Sequence, residues 1–308
     1  MSQKAVEIED LSKTYGSIKA VDRISLQVDS GEVFGMLGPN GAGKTTTVEI
    51  VEGLRQADSG KVSVLGLDVA RAAATVKEQI GIQLQGSSLM PLLTVDETLS
   101  LFANFYSHSL PVEELLDRLA LRDSRRVLVK NLSGGQQQRL SVALALVNDP
   151  SIAFLDEPTT GLDPQARRSL WNVIEEMRSR GKTVFLTTHY MEEAERLCDR
   201  LVIIDHGTII ASGSPESLIR EQFKEKAIQF EMDPPPATET LRQFSGATNV
   251  VVDGNEVVIY SQDIPVTLSG ILKFTDERNM TGQLKDLHVR EATLEDVFLK
   301  LTGRRIRD

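Results

Sequence analysis

Short apolar segments recur through the first 220 residues of the chain, each bounded by Gly, Asp or Pro. They are mainly aliphatic or β-branched and lie at Val33–Met36, Ile152–Leu155, Thr183–Leu186 and Leu201–Ile204. Helical stretches separate them, and continuous apolar runs of this length are typical of strands buried on both faces of a parallel sheet. The pattern therefore predicts βαβ units. Apolar and polar residues alternate at Val6–Ile8 and Ile24–Val28, which predicts an antiparallel strand pair in front of them.

The pattern changes near Ser214–Lys226, where a Ser-Pro pair and the charged stretch EQFKEK interrupt it. Beyond this point we expect a strand, a helix, a hairpin around Asp253-Gly254-Asn255, a helix, a strand and a helix. The sequence predicts these elements at Ala227–Met232, Thr238–Phe244, Asn249–Val252, Glu256–Tyr260, Ile264–Thr275, Leu284–Arg290 and Thr293–Leu301. The order β-α-β-β-α-β-α predicts a small α+β domain of the split βαβ, ferredoxin-like type with one extra helix.

Composition places the chain among ordinary globular proteins. Of its 308 residues 41% are hydrophobic and 25% are charged, which argues against disorder, and the length allows about two domains. The net charge of −10 argues against a strongly basic surface for nucleic acid, so no nucleic acid partner is expected. The single cysteine, Cys198, excludes an intrachain disulfide.

The sequence contains no segment that predicts a membrane span. No apolar run approaches the roughly 18 residues that a spanning helix needs. The first residues, MSQKAVEIEDLSKTYG, lack the apolar core of a signal peptide. If this protein works at a membrane, we expect another chain to supply the span.

Residues with candidate chemistry begin directly after Val33–Met36. The segment from Gly38 to Thr45 matches the phosphate-binding P-loop pattern G-x-x-x-x-G-K-[ST]. Its glycines let backbone N–H groups turn toward phosphate oxygens, and the following helix adds the positive end of its dipole. The flanking strand and helix favour this interpretation over a glycine-rich turn without function. The nucleotide contacts expected here are Gly38, Asn40, Gly41, Gly43, Lys44, Thr45 and Thr46, with Lys44 at the β- and γ-phosphates and Thr45 at Mg²⁺.

Two adjacent carboxylates, Asp156 and Glu157, follow the apolar segment Ile152–Leu155. An aspartate at the end of a buried strand can hold Mg²⁺ through water, and the next carboxylate can orient and polarise an attacking water. Two acids at a strand end are by themselves more often solvated loop residues. The P-loop in the same chain favours the functional interpretation.

A second anion site is predicted at Leu132-Ser133-Gly134-Gly135-Gln136, in front of the helical stretch Gln137–Val147. Ser133 is a suitable N-cap, and Gly134 and Gly135 allow close approach of a ligand to the backbone. The segment is therefore a second helix N-terminus suited to phosphate. Two such sites in one chain are more than a single nucleotide needs.

These segments resemble the ATP-binding cassette (ABC) family in sequence, order and spacing. GPNGAGKTT and FLDEPTTGLDP resemble its P-loop and Walker B–D-loop segments, and LSGGQ is its signature motif. The resemblance covers roughly residues 4 to 220. It implies an α/β P-loop NTPase cassette with antiparallel β and helical subdomains as a nucleotide-binding domain at 1–220, followed by an α+β accessory domain at 226–308.

The resemblance also implies roles for residues that their own surroundings do not explain. Tyr15 would stack on adenine, although it could also be a core aromatic residue near a strand end. Gln85 would sense Mg²⁺ and the attacking water and link to a permease, and Asp163 would cross a dimer interface. His189 would bind the γ-phosphate. The implied catalytic residues are Glu157, His189 and Gln85, and the implied Mg²⁺ ligands are Thr45, Gln85 and Asp156.

A dimer follows from the same resemblance. In this family the P-loop of one nucleotide-binding domain and the signature of another clamp the same ATP, which accounts for two phosphate sites in one chain. Ser133, Gly134, Gly135 and Gln136 would thus complete the partner's site, with Ser133 and Gly135 at the γ-phosphate. The expected assembly is a homodimer or a heterodimer with a paralogue around two Mg·ATP.

The resemblance further implies a transporter ATPase with a separate multi-spanning permease, on the cytoplasmic face of the cell membrane. The region SSLMPLLTVDETLSLFANFYS and the tail ATLEDVFLKLTGRR resemble bacterial exporter ATPases for drugs, lipids or polysaccharides, which favours export over import. The alternative is a soluble ABC-type ATPase clamp that acts on a macromolecule without a membrane partner. The C-terminal domain is expected to pack or to stabilise the dimer, and sensing of a small molecule is the other possibility.

Overall fold

The computed structural model describes residues 3–84 and 89–303. The chain forms two compact units, of which the first reaches to Pro215 and the second spans Glu216–Gly303. Within the described residues, no helix is long and apolar enough to cross a bilayer.

The first unit combines an antiparallel sheet, a mostly parallel sheet and flanking helices. Its strands are β1 (Lys4–Tyr15), β2 (Ile18–Asp29), β3 (Val33–Leu37), β4 (Ser59–Val64), β5 (Leu67–Asp68), β6 (Ile80–Gln83), β7 (Ile152–Asp156), β8 (Thr183–Thr188), β9 (Arg200–Asp205) and β10 (Thr208–Gly213). Its helices are α1 (Lys44–Val51), α2 (Val69–Gln79), α3 (Val95–Ala103), α4 (Val112–Arg118), α5 (Gly134–Ala145), α6 (Pro164–Ser179) and α7 (Met191–Leu197). The antiparallel sheet has the order β2-β1-β4-β5. The helices α3, α4 and α5 lie between β6 and β7 in the chain, and α3 packs against both α4 and α5.

The parallel sheet places the candidate motifs at one edge. Its order is β10-β9-β3-β8-β7-β6, with β10 antiparallel to β9. Every residue of β3, β7 and β8 is buried, as expected for strands covered on both faces. The pairs Leu37–Thr188 and Asp156–Thr187 bring the carboxyl ends of these strands together. The P-loop, the paired carboxylates and His189 follow these ends, and so they share one edge of the sheet.

The strand predictions for this unit are confirmed, and the strands are longer than their apolar runs. At their carboxyl ends, β3 gains Leu37, β7 gains Asp156, and β8 gains Thr187 and Thr188. The antiparallel pair β1–β2 continues to a tight turn at Gly16, which has a positive φ of 60°. Helix α5 begins at Gly134, before the predicted Gln137, because Ser133 is its N-cap.

The second unit begins with helix α8 (Pro215–Gln222), whose first residue is the last of the first unit. Its elements are β11 (Lys226–Glu231), α9 (Thr238–Leu241), β12 (Ala247–Asp253), β13 (Glu256–Ser261), α10 (Ile264–Glu277), β14 (Lys285–Arg290) and α11 (Leu294–Thr302). All pairs in its sheet are antiparallel, in the order β12-β13-β11-β14. The sequence of elements is the predicted one. The hairpin closes at the pair Asp253–Glu256, so Gly254 and Asn255 form the two-residue turn.

The tail segment ATLEDVF is held by a buried carboxylate, Asp296, in the first turn of α11. Tyr260 Oη donates to Asp296 Oδ1 at 2.6 Å, and Arg290 donates to both carboxylate oxygens, at 2.5 and 3.0 Å. The backbone N–H of Thr293 donates to Oδ2 at 2.8 Å and completes a capping box. These bonds explain why this segment needs an aspartate: it caps α11 and ties the helix to β13 and β14.

Candidate functional site

The P-loop forms a tight turn between β3 and α1 that requires glycine at two positions. Gly43 is the N-cap of α1 with a φ of 105°, and a Cβ there would lie 2.2 Å from the carbonyl oxygen of Ala20. A Cβ on Gly38 would lie 2.3 Å from the carbonyl oxygen of Ile204. Both distances are far below van der Waals contact, so larger residues would force the loop open.

Lys44 turns its ammonium group back into the site. The side chain is 4% exposed, and Nζ donates to the carbonyl oxygens of Gly38 at 2.7 Å and Pro39 at 3.2 Å. Nζ also lies 3.5 Å from Oε1 of Glu157. Burial lowers the pKa of Lys44, and the charge of Glu157 opposes that shift. The geometry holds a cation at the mouth of the P-loop.

Asp156 lies at the end of β7 between two hydroxyl groups. Thr45 Oγ1 donates to Oδ2 at 3.2 Å, and Thr187 Oγ1 donates to Oδ1. Burial raises the pKa of Asp156, and the hydroxyls of Thr187 and Thr45 oppose the increase because they stabilise the carboxylate. Carboxylate and hydroxyl oxygens are the ligand type that Mg²⁺ prefers, usually with several waters and phosphate oxygens completing its shell. Within the described residues, no group of three or more His, Cys, Asp or Glu could hold a metal ion.

Glu157 is held between two cationic or potentially cationic groups. Its Oε1 lies 3.2 Å from Nδ1 of His189 and 3.5 Å from Nζ of Lys44. Hydrogen bonding to His189 is the largest cause that lowers the pKa of Glu157, burial opposes it, and Lys44 adds to the decrease. Glu157 adopts a φ of 48°, which is rare for a non-glycine residue and is typical of functional sites. Two bonds from its N–H to Thr187, at 3.0 Å to Oγ1 and 3.1 Å to the carbonyl oxygen, fix this conformation.

An open cleft of about 390 Å³ lies over the P-loop. It is lined by Tyr15, Ala20, Asn40, Gly41, Gly43, Lys44, Thr45, Thr46 and Glu157. The ring of Tyr15 is 40% exposed at the end of β1, which rules out a core position. The guanidinium of Arg55 and the ammonium of Lys13 lie 5.4 and 5.7 Å from its centroid. A planar ligand on the free part of this ring would have cations beside it.

The signature segment lies outside the lining of this cleft as the described residues define it. Ser133 is the N-cap of α5, and its Oγ accepts from the N–H of Gln136 at 3.2 Å. The amide of Gln136 closes the capping box by accepting from Ser133 N at 2.9 Å and donates to Ser124 at 2.8 Å. Ser133 and Gly134 are exposed, Gly135 is half-buried, and a Cβ on Gly134 would meet no other group. The helix N-terminus is thus open to a ligand or a neighbouring chain.

Two further predicted residues have different outcomes. Asp163 is the N-cap of α6, where Oδ1 accepts from the N–H groups of Gln165 at 2.9 Å and Ala166 at 2.8 Å. Like the signature segment, it is absent from the described lining of the cleft. Gln85 lies outside the described residues, so its role stays a prediction.

The sequence did not predict several residues that form hydrogen bonds to the side chains and backbone of the site. Thr187 bonds both carboxylate residues, and Gln83 Nε2 donates to the carbonyl oxygen of Asp156 at 3.2 Å. Gln138 Nε2 donates to the carbonyl oxygen of Pro158 at 2.8 Å and so ties the signature helix α5 to the loop after β7. Polar residues within buried strands, such as Thr187 in VFLTTH, are the one signal in the sequence that could have pointed to them.

Glu52 is a buried acid directly after α1, and it is not among the described residues that line the cleft. It is 1% exposed, and neither carboxyl oxygen has a hydrogen-bond partner among the described residues. Burial, followed by the negative charges of Asp156 and Glu49, raises the pKa of Glu52 to about 9. The folded protein therefore keeps this group protonated at neutral pH.

Replacement of Glu52 by Gln is expected to remove a pH-dependent loss of stability. The unfolded chain releases this proton near the ordinary pKa of 4.5, whereas the folded chain keeps it up to about 9. Stability of the native protein should therefore fall as pH rises through this window, by up to about 1.4 kcal/mol per pH unit. We expect thermal unfolding midpoints of E52Q to decline less between pH 6 and pH 8.5. E78Q, which changes an exposed acid on α2, is the control, and parallel declines in E52Q and native protein would contradict the assignment.

Comparison with known proteins agrees with this geometry. A family model described as ABC transporter matches residues 21–160. The chain is 41% identical to the Nod factor export ATP-binding protein I of Burkholderia lata over 98% of both chains. It is 42% identical to the protein of the same name from Sinorhizobium fredii, over 100% of this chain and 88% of the relative.

Solved structures extend the comparison to the fold. An ATP-binding cassette solved as a dimer in a post-hydrolysis state, bound to ADP and Pi, superimposes with a TM-score of 0.64 at 28% identity, covering 68% of this chain and 98% of its own. The ATP binding subunit of an ABC transporter superimposes with a TM-score of 0.65 at 31% identity, covering 71% of this chain and 93% of its own.

Proposed function

Because this chain belongs to the ABC transporter family of ATP-binding proteins, we propose that it drives export through a separate membrane permease. As a member of the family, it is an ATPase that binds ATP. The observation that carries the proposed direction is likeness over nearly the full length, C-terminal unit included, to proteins named for export. Such a protein would act at the cytoplasmic face of the membrane through its permease.

The cluster at the mouth of the P-loop supports the following roles. The Lys44 ammonium would bind the β- and γ-phosphate oxygens, and the ring of Tyr15 would stack on adenine. Asn40, Gly41, Gly43 and Thr46 line the same cleft and would complete the phosphate cradle. Glu157 is anionic at neutral pH because His189 and Lys44 lower its pKa, so it would accept a hydrogen bond from the attacking water. His189, 3.2 Å from that carboxylate, would hold it and contact the γ-phosphate.

A magnesium ion would belong to this site together with the nucleotide. Thr45 and Asp156 present a hydroxyl and a carboxylate 3.2 Å apart, which suits an octahedral ion that takes its other ligands from water and phosphate. Gln85 would be a third protein ligand. When bound, Mg²⁺ neutralises charge on the β- and γ-phosphates. Thr187 would keep Asp156 in place for it.

A dimer is the proposed working state, either a homodimer or a heterodimer with a paralogue. The signature residues Ser133, Gly134 and Gly135 are accessible but do not line the P-loop cleft of their own chain as described. A partner's cleft is therefore the natural place for them, with Asp163 at the same interface. The solved cassette that holds ADP and Pi as a dimer supports this arrangement by analogy.

The second unit is proposed to be a ferredoxin-like accessory domain, at 226–308, after a nucleotide-binding domain at 1–220. Its sheet order β12-β13-β11-β14, with helices between its first and second and its third and fourth strands, supports that class. Its buried carboxylate, Asp296, is engaged in holding helix α11 to the sheet, which supports a structural or dimer-stabilising role.

Purification from membranes tests the transporter proposal. Tagged E157Q, extracted in mild detergent with ATP and Mg²⁺, is expected to bring down a multi-spanning membrane protein in stoichiometric amount, identified by mass spectrometry. The tagged K44A protein serves as control, since it should keep the permease and lose any ATP-trapped dimer. Recovery of soluble partners only, after several permease-preserving detergents, would favour the soluble clamp instead.

A further inference from the structure

One fully buried carboxyl group outside the nucleotide cleft, that of Glu193, lies where two loops of the site meet. Glu193 belongs to the first turn of α7, and Trp171 Nε1 of α6 donates to its Oε1 at 3.0 Å. Burial raises the pKa of Glu193, and the hydroxyl of Thr188, the indole of Trp171, the hydroxyl of Thr159 and the charge of Arg167 oppose the increase. Helix α6, strand β8 and the loop after β7 therefore all contribute groups that act on this one side chain.

Two of these neighbours belong to segments that carry the reacting groups. Thr188 immediately precedes His189, and its Oγ1 accepts from the N–H of Tyr190 at 2.9 Å. The side chain of Thr188 is therefore bonded to the residue on the other side of the histidine in the chain. Thr159 lies two positions after Glu157 and is fully buried. Its carbonyl oxygen accepts from Leu162 N at 3.2 Å, in the turn that leads to Asp163.

The interaction with Thr159 is close but incomplete. Oε2 of Glu193 and Oγ1 of Thr159 are both buried, and neither has a hydrogen-bond partner among the described residues. Buried polar atoms without partners are rare in folded proteins, and each of them calls for a specific explanation. A small shift of the loop after Glu157 would let this pair form a bond.

Helix α6 is also connected to His189, through the ring of Tyr190. It begins at Pro164, after its N-cap Asp163, and Arg167 lies one turn before Trp171 on the face toward α7. The guanidinium of Arg167 stacks 4.5 Å from the centroid of Tyr190, whose ring centroid lies 4.2 Å from that of His189. A shift at the N-terminus of α6 would thus reach both Glu193 and His189.

We propose that Glu193 is a positioning residue that holds the loop Glu157–Asp163 and the loop of His189 in one arrangement. It would act through His189, whose Nδ1 lies 3.2 Å from Oε1 of Glu157. The inference rests on the proposed roles of Glu157 and His189 above. A carboxyl group suits this position because its two oxygens can accept from the indole and from two hydroxyls, whereas a glutamine has one accepting oxygen and two donor hydrogens.

The first test replaces Glu193 by Gln, with E192Q, an exposed acid on the same turn, as the matched control. We expect kcat of E193Q for ATP hydrolysis to fall about 10- to 100-fold, since small misplacements of reacting groups have effects of that size. The KM for ATP should stay within about twofold, because the P-loop is untouched. E192Q should match the native protein, and native kcat in E193Q would overturn the proposal.

A double-mutant cycle separates positioning from general destabilisation. The cycle compares the native protein, E193Q, H189A and the double variant. Turnover is measured on radiolabelled ATP at a temperature where all four are folded. If Glu193 acts through His189, E193Q should reduce turnover much less in the H189A background. Losses that multiply would overturn this inference, whereas native turnover in H189A would show that the proposed role of His189 is wrong.

A second variant keeps the test decisive if E193Q fails to fold. T159V removes a hydroxyl that interacts with the carboxyl group of Glu193 while leaving the bond from Trp171 intact. We expect the kcat of T159V to fall at unchanged KM. This decrease in kcat should also be smaller in the H189A background. Native kcat in T159V would overturn the link to the loop after Glu157.

Discussion

Replacement of Glu157 by Gln is expected to reduce ATP turnover about 10²- to 10⁴-fold, the range in which a general base usually contributes. The amide keeps the shape of the carboxylate, but it cannot accept a proton from the attacking water. Glutamine also suits the backbone, because the φ of 48° at this position would strain a β-branched residue. Steady-state phosphate release, at saturating ATP and Mg²⁺, measures the effect.

Nucleotide binding should survive this change. The carboxylate of Glu157 lies 3.5 Å from Lys44 Nζ, where the negative γ-phosphate is proposed to bind, so the neutral amide removes a like charge from the site. We expect the Kd for ATP to be unchanged or lower, and ATP-bound dimers to accumulate in size-exclusion chromatography. E192Q is the control for a glutamate that is merely exposed. Turnover of E157Q within twofold of the native rate would contradict the assignment of the base.

Much of the fold could be predicted because its signals are local. The apolar runs in β3, β7 and β8 are bounded by Gly, Asp or Pro, and a run of that kind forms a buried strand wherever it lies. The turn Gly254-Asn255 likewise specifies a hairpin without reference to the rest of the chain. By contrast, β4 and β5 are partly exposed and have no continuous apolar run, and pairing defines their places, of β4 with β1 and of β5 with β4.

The candidate site likewise has a part that local sequence predicts and a part that depends on contacts between distant segments. Spacing within one segment predicts the P-loop, because glycines at Gly38 and Gly43 are needed where a Cβ would strike a neighbouring carbonyl. Spacing cannot predict that Thr187, 31 residues away in the chain, would bond Asp156. Glu193 gives no local signal either, since acidic residues at α7 look like an exposed helix start until Trp171 is seen to donate to it.

These supporting residues explain why so few catalytic side chains are needed. Phosphoryl transfer depends on positioning and charge stabilisation more than on covalent chemistry by the protein. The side chains that position the groups are buried, uncharged or paired, and they come from β6, β8 and α5. Motif spacing therefore marks the residues that we propose to contact the nucleotide, and packing decides which residues hold them.

Replacement of Lys44 by Ala is expected to weaken binding of ATP itself. Lys44 is 4% exposed and its ammonium group is already held by the carbonyl oxygens of Gly38 and Pro39, so little ordering is needed to meet a phosphate. Hydrogen bonds to charged groups contribute about 1.5–3 kcal/mol, which corresponds to an increase in Kd of about 10- to 150-fold. A fluorescent ATP analogue, titrated at constant ionic strength, measures the change.

Two further variants assign this loss to the charge. K44M keeps the length and apolar stem of the side chain, so it should bind ATP as weakly as K44A if the ammonium is what matters. K61A removes an exposed lysine on β4 and should leave the Kd unchanged. Because Lys44 helps to keep the pKa of Glu157 low, its loss also raises the energy of the buried carboxylate, and folding of each variant must be checked by circular dichroism. Unchanged ATP affinity in folded K44A and K44M would show that the P-loop cation does not bind the nucleotide, and the proposed role of Glu157 beside it would lose its main support.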